Sequence, residues 1–75
     1  MAKNYDIGNG KKVVCQSLTF GYIYDVEQGL VEDNILGGVL NGTDLTEENV
    51  RELTRVQVNE IWELVKRETY PELYN

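Results

Sequence analysis

Three Leu-Thr dipeptides, Leu18-Thr19, Leu45-Thr46 and Leu53-Thr54, constrain this chain more than any other feature of its sequence. A threonine at a helix N-cap accepts a hydrogen bond from a backbone N–H that has no partner inside the helix. With each Thr at the N-cap, the preceding Leu is N′ and N4 falls on Ile23, Val50 and Val58. All three are apolar, as a hydrophobic staple requires. Thr54 also has Gln57 at N3, which completes a capping box. Thr46 is followed by Glu47 and Glu48, and the helix dipole favours acids in a first turn.

These starts predict helices over about Thr19 to Gln28, Thr46 to Leu53 and Thr54 to Thr69. Gly29 stops the first. Pro71 ends the last, because the residue before a proline avoids the α region. In that last helix Val58, Ile61, Trp62 and Val65 share a face, and Glu63 and Arg67 form an i,i+4 pair outside it. Trp62 at the centre of such a face is read as core, with an interface role as the alternative. A further helix, about Leu30 to Asn41, is read from Val31, Ile35 and Val39 on one stripe with Leu36 and Leu40 beside it, and Asn41-Gly42 ends it. Gly37-Gly38 falls inside that helix, at a cost of roughly 1–2 kcal/mol relative to alanine. Either another element packs closely against that turn, or the helix is soft and reshapes on binding.

Ahead of the helices, Tyr5-Asp6-Ile7 and Lys12-Val13-Val14-Cys15 flank Gly8-Asn9-Gly10-Lys11. Asn9-Gly10 signals a type I′ turn, whose two central residues need positive φ. The turn predicts a β-hairpin over about residues 4–16 with Tyr5 opposite Val14 and Ile7 opposite Lys12. An isolated hairpin is marginal in water, so one face must pack on the rest of the chain or an edge must pair with another chain. The fold class expected is α+β: the hairpin, about four short helices over residues 18–69, and a short aromatic tail at 70–75, in one domain spanning 1–75.

At 75 residues and 41% apolar content, the chain can build one modest core. A deep enclosed site would consume much of it, which points to surfaces and shallow grooves. The net charge is −6, and no Lys or Arg lies between Lys12 and Arg51. Asp25, Glu27, Glu32, Asp33, Asp44, Glu47 and Glu48 fall in that interval. Phosphate repulsion argues against a nucleic-acid surface there. The acids read either as a solvated face that maintains solubility or as a surface for a basic partner.

Nothing in the sequence assembles catalytic, cofactor or metal chemistry. Histidine is absent, so Ser17 has no imidazole to activate it and no Cys/His metal cluster can form. Gly8-Asn9-Gly10 lacks the GK[ST] of a phosphate loop and precedes a strand. The carboxylates around Asp25 and Glu32 lack calcium-loop spacing. An acyl carrier protein would need an Asp-Ser-Leu near mid-chain, and none occurs. The lone Cys15 reads as a half-buried strand residue or as a reactive thiol. It cannot make an internal disulfide, no segment approaches the ~20 apolar residues of a membrane span, and Met1 to Asp6 contains no apolar stretch of signal-peptide type. A soluble, cytoplasmic, non-enzymatic binding protein is the expectation.

Asp6-Ile7-Gly8-Asn9-Gly10-Lys11-Lys12-Val13-Val14 is similar to the opening hairpin of the small tail assembly chaperones of long-tailed bacteriophages. Leu18-Thr19 stands where those proteins start their first helix. Asp44 through Thr54 resembles their "lt.e.i..Lt" segment, and Val56 through Val65, followed by Tyr70 through Tyr74, looks like their closing helix and aromatic tail. The resemblance implies a role in the infected cell's cytoplasm: binding the aggregation-prone tape measure protein and delivering it for tail tube assembly. The alternatives from other classes are a small acidic regulator or inhibitor that binds a basic partner, and a structural neck or tail-completion component.

For the partner surface, Tyr70, Leu73 and Tyr74 follow the helix-ending Pro71 close to the terminus, where chains are commonly loose. Exposed aromatics are favoured anchors. Val56 and Leu64 lie off the main stripe of the last helix, which points to a second contact, either within the fold or with a partner. These five residues are the expected site for a client protein or for self-association.

Overall fold

A computed structural model of the chain describes residues 3–74. Met1, Ala2 and Asn75, and with them the ends of the expected N-terminal segment and aromatic tail, lie outside the described residues. Strands β1 (Lys3–Gly8) and β2 (Lys11–Cys15) form an antiparallel hairpin, and helices α1 (Phe20–Glu27), α2 (Ile35–Gly42), α3 (Glu47–Arg51) and α4 (Arg55–Thr69) follow, with a 3-10 turn at Pro71–Leu73. The fold is α+β, as the sequence predicts.

Asn9 and Gly10 take φ of 55° and 74°, as a type I′ turn demands. Gly8 then opposes Lys11, but beyond it the register departs from expectation. Asp6 lies opposite Lys12, Tyr5 opposite Val13 and Asn4 opposite Val14. Ile7 is the extra residue of a β-bulge, with Gly8 at φ 99° and its N–H donating to Asp6 Oδ1 at 2.8 Å. The cause is parity. Val13 and Cys15 stand on the buried face of β2, and Tyr5 and Ile7 are the half-buried residues of β1. Directly opposed residues share a face, so an ungapped hairpin would match Tyr5 to Val14 and turn both β1 side chains away from the core. The inserted residue brings the two apolar sets to one side.

The outer edge of β2 is closed by the last residue of α2 and the segment after it. Gln16 N–H donates to Gly42 O at 2.8 Å, Val14 N–H donates to Asp44 Oδ1 at 3.2 Å, and Cys15 bridges Thr43.

The threonine caps form as expected. Thr19 Oγ1 accepts from Tyr22 N–H at 3.2 Å, Thr46 Oγ1 from Asn49 N–H at 3.2 Å and Thr54 Oγ1 from Gln57 N–H at 3.1 Å. Thr46 gains a capping box as well, because the Asn49 side chain accepts from the Thr46 N–H. Gly29 leaves α1 at φ 75°. The second helix differs: it starts at Ile35 rather than Leu30. Asn34 Oδ1 accepts from Gly37 N–H at 2.7 Å and caps it there. Leu30 and Val31 fold back instead, both N–H groups reaching Asp25 O. A side-chain cap is a local bond that satisfies an orphan donor, and here it outweighs the apolar periodicity that runs through Val31.

The core joins the hairpin to α2 and α4. Val13, Cys15, Leu18, Val39, Val50, Ile61 and Val65 are buried, with Val58, Trp62 and Leu64 packed against them. A Cβ on Gly38 would fall under 3.0 Å from two atoms of the Trp62 ring, and one on Gly37 would stand 2.7 Å from Tyr22 Oη. Close packing is therefore the reason for Gly37-Gly38. On the outside of α4, Glu63 pairs with Lys66 at 2.9 Å rather than with Arg67, whose guanidinium stacks 5.0 Å from the Tyr74 ring centroid.

Candidate functional site

Helix α1 is anchored at its start, where Thr19 N–H donates to Asn41 Oδ1 at 3.0 Å, yet it contains no buried residue. At 100° per residue, Tyr22, Ile23 and Val26 occupy the arc toward α4, and Phe20 and Tyr24 carry the apolar surface on around the helix. Phe20 is 81% exposed and Tyr24 50%. The apolar surface continues in sequence through Leu30, at 73%, and through the exposed Val31, Ile35 and Leu36. Each of these last four belongs to the segment that the shorter α2 leaves outside, or in its first turn.

Between α1 and α4 lies a groove of about 310 Å³. Leu18, Ile23, Val26 and Trp62 give it an apolar lining, with Glu27 and Asp33 contributed from the α1 side and Lys66 and Tyr70 from the α4 side. Lys66 is committed to Glu63, and that hydrogen bond holds its pKa above the ordinary lysine value. Its ammonium also sits 5.8 Å from the Trp62 ring centroid. Tyr22 lines the groove too, with its hydroxyl buried and without a hydrogen-bond partner among the described residues. Burial, then the charge of Asp33, pushes that hydroxyl's pKa up. A wider depression of about 610 Å³ runs between the hairpin turn and α3, with Lys11, Lys12, Asp44 and Glu52 mixing both charge signs in its lining.

Cys15 is fully buried, and burial, followed by Asp44 and Glu68, pushes its thiol up to about 11. It stays protonated at neutral pH and behaves as a small core residue. Among the described residues, no three Cys, Asp or Glu side chains are grouped to hold a metal ion, and no helix is long and apolar enough to cross a membrane.

The five residues singled out from the sequence are dispersed. Val56, 66% exposed, stands at the start of α4, while Tyr70, Leu73 and Tyr74 follow its end, about 20 Å away at 1.5 Å rise per residue. Leu64 is half-buried against the core, so its second contact lies within the fold. Tyr70 lines the groove, Tyr74 stacks with Arg67, and Leu73 remains 73% exposed. Sequence reading missed Phe20, Tyr24 and the Leu30 to Leu36 segment. A signal existed: apolar residues at 20, 22, 23, 24 and 26 cover an arc too wide for one packing face.

Comparison with protein-family models, with curated proteins and with solved structures gives no match to this chain.

Proposed function

We propose that this chain is a non-enzymatic binding protein that covers apolar surface of another protein, and that its client is the tape measure protein of a bacteriophage tail. The phage assignment rests on the resemblance of its hairpin, its Asp44 to Thr54 segment and its closing helix to tail assembly chaperones. The supporting structural observation is the outward apolar surface of Phe20, Tyr24, Leu30, Val31, Ile35 and Leu36. A domain of this size has few large apolar residues to place, and leaving this many outside its core favours a surface that meets a partner. A client with uncovered amphipathic helices buries them against that surface, and binding draws the client away from self-aggregation by mass action. The charge of −6 keeps the complex dispersed. The work would be done in the host cytoplasm.

The acids Asp25, Glu27, Glu32 and Asp33 around the same surface favour a second reading, a small regulator of a basic partner. Co-expression with the tape measure protein of the same genome separates the two. The chaperone reading expects the client to move into the soluble fraction and to co-purify with this chain. A client that is equally insoluble with and without it overturns the reading.

A further inference from the structure

We infer that the outward face of α1, the Leu30 to Leu36 segment and the groove between α1 and α4 form a receptor for one amphipathic helix whose apolar stripe is flanked by Lys and Arg. This rests on the binding-protein reading above and specifies the chemistry of the partner.

The apolar part of the receptor has the spacing of a helix partner. Phe20 and Tyr24 lie one turn apart on α1, and around the same helix from them the groove opens over Ile23, Val26 and Trp62. Helix-in-groove recognition uses anchors at i, i+3 or i+4, and i+7, so one anchor entering the groove leaves its neighbours to lie along α1. The groove's volume of about 310 Å³, at the small end for ligand pockets, accommodates a large side chain.

The charges fix the flanks. Glu27 and Asp33 line the groove, and Asp25 and Glu32 lie in the same stretch of chain. No Lys or Arg occurs between Lys12 and Arg51 to neutralise them, and the groove's cation, Lys66, is held by Glu63. A partner helix with Lys and Arg beside its stripe meets this acidic surround favourably, whereas an acidic one is repelled. A second copy docking face to face would set these carboxylates against themselves, and nucleic acid would meet them with phosphates.

The probes are two helical peptides without Trp, each with Leu at i, i+3, i+4 and i+7. One carries Lys and Arg at the flanking positions and its twin carries Glu. Trp62, the chain's one tryptophan, lines the groove and reports occupancy by fluorescence, with calorimetric titration at low and high salt alongside. The basic peptide is expected to bind at least about tenfold tighter than its twin and to weaken with salt. Phe20→Ser combined with Tyr24→Ser should abolish the binding without lowering the melting temperature, because neither side chain is buried. Glu27→Lys combined with Asp33→Lys should reverse the preference between the peptides. Equal binding of both peptides overturns the charge assignment, and binding that survives Phe20→Ser/Tyr24→Ser overturns the site. A chain that dimerises on its own, and becomes monomeric with Phe20→Ser/Tyr24→Ser, shows that a second copy is the occupant and overturns the inference. Failure of both peptides while the tape measure client is still solubilised sinks this site but leaves the chaperone reading. Binding of the basic peptide with an insoluble client supports the site and sinks that reading.

Discussion

Gly38→Ala sets two effects of known sign against each other. Removing a glycine from a helix interior gains up to about 1 kcal/mol. At this position the new methyl meets a wall: the three nearest atoms all belong to the Trp62 ring, two of them under 3.0 Å and Cε3 at 3.1 Å. Ordinary contact begins at 3.4 Å, so the ring or the helix must shift. An indole is rigid, so the clash is relieved only by moving the whole Trp62 ring toward the groove or by shifting the helix. Overpacking costs about 1–3 kcal/mol, and with two ring atoms well inside contact distance the upper part, about 2–3 kcal/mol, applies; it exceeds the propensity gain and leaves a net loss of about 1–2 kcal/mol. For a domain of this size the melting temperature should fall by roughly 5–15 °C. Gly21→Ala in α1 is the matched control, since a Cβ there meets nothing within 4 Å and the backbone is not left-handed. It should leave stability unchanged or raise it by up to about 1 kcal/mol. Urea melts followed by circular dichroism and by Trp62 fluorescence measure both variants. If Gly38→Ala is as stable as wild type or more so, Trp62 does not pack on that turn and the account of Gly37-Gly38 is wrong.

Thr46→Ala and Thr54→Ala should each cost roughly 0.5–2 kcal/mol in denaturant melts, because each removes a cap bond to an N3 N–H. Asn34→Ala should cost about 1 kcal/mol, whereas a helix running from Leu30 would make the same change neutral or favourable; the urea midpoint decides. Cys15 should resist a disulfide-exchange reagent such as DTNB in the native protein and react at the rate of unfolding. Its folded pKa of about 11 lies above the ordinary 9.0, so its contribution to stability is fully present below pH 9 and declines as pH rises from there toward 11. Cys15→Ala should show a shallower decline than wild type over that window, and identical slopes would contradict its burial.

What the sequence revealed was local. Thr19, Thr46 and Thr54 announce helix starts because a cap bond joins residues three apart and needs no tertiary context. Asn9-Gly10 announces its turn for the same reason. The start of α2 was hidden by competition between two local signals: Val31 extended an apolar stripe, Asn34 offered a cap, and the bond to Gly37 N–H won. The strand register needed a non-local fact, namely which face of each strand meets α2 and α4. With that fact, Tyr5 and Ile7 on one strand and Val13 and Cys15 on the other demand an extra residue, since a two-residue turn pairs odd positions with even ones. The site suffered from the same error as α2. Apolar periodicity sets Ile35 on a stripe with Val39 and Leu36 beside it, but in the first turn of the shorter α2 both are exposed while Val39 is buried. The tail residues stood out by position in sequence, and the fold spreads them over Trp62's groove, Arg67 and solvent.

The sheet has a different relation to other proteins than the helices do. Hydrogen bonding from Gly42 and Asp44 closes the outer edge of β2, so β1 carries the sheet's open edge among the described residues. A bare strand edge is a template on which any extended chain can continue the ladder, and proteins guard such edges with charges, brevity and bulges. β1 has all three: Lys3 and Asp6 exposed, six residues in length, and a bulge at Ile7 that kinks it. Under the reading proposed above, an aggregation-prone client would thereby be denied backbone pairing and left with side-chain packing against helices. If the chain holds and releases a client as proposed, that kind of grip serves it better than strand addition, which templates aggregation.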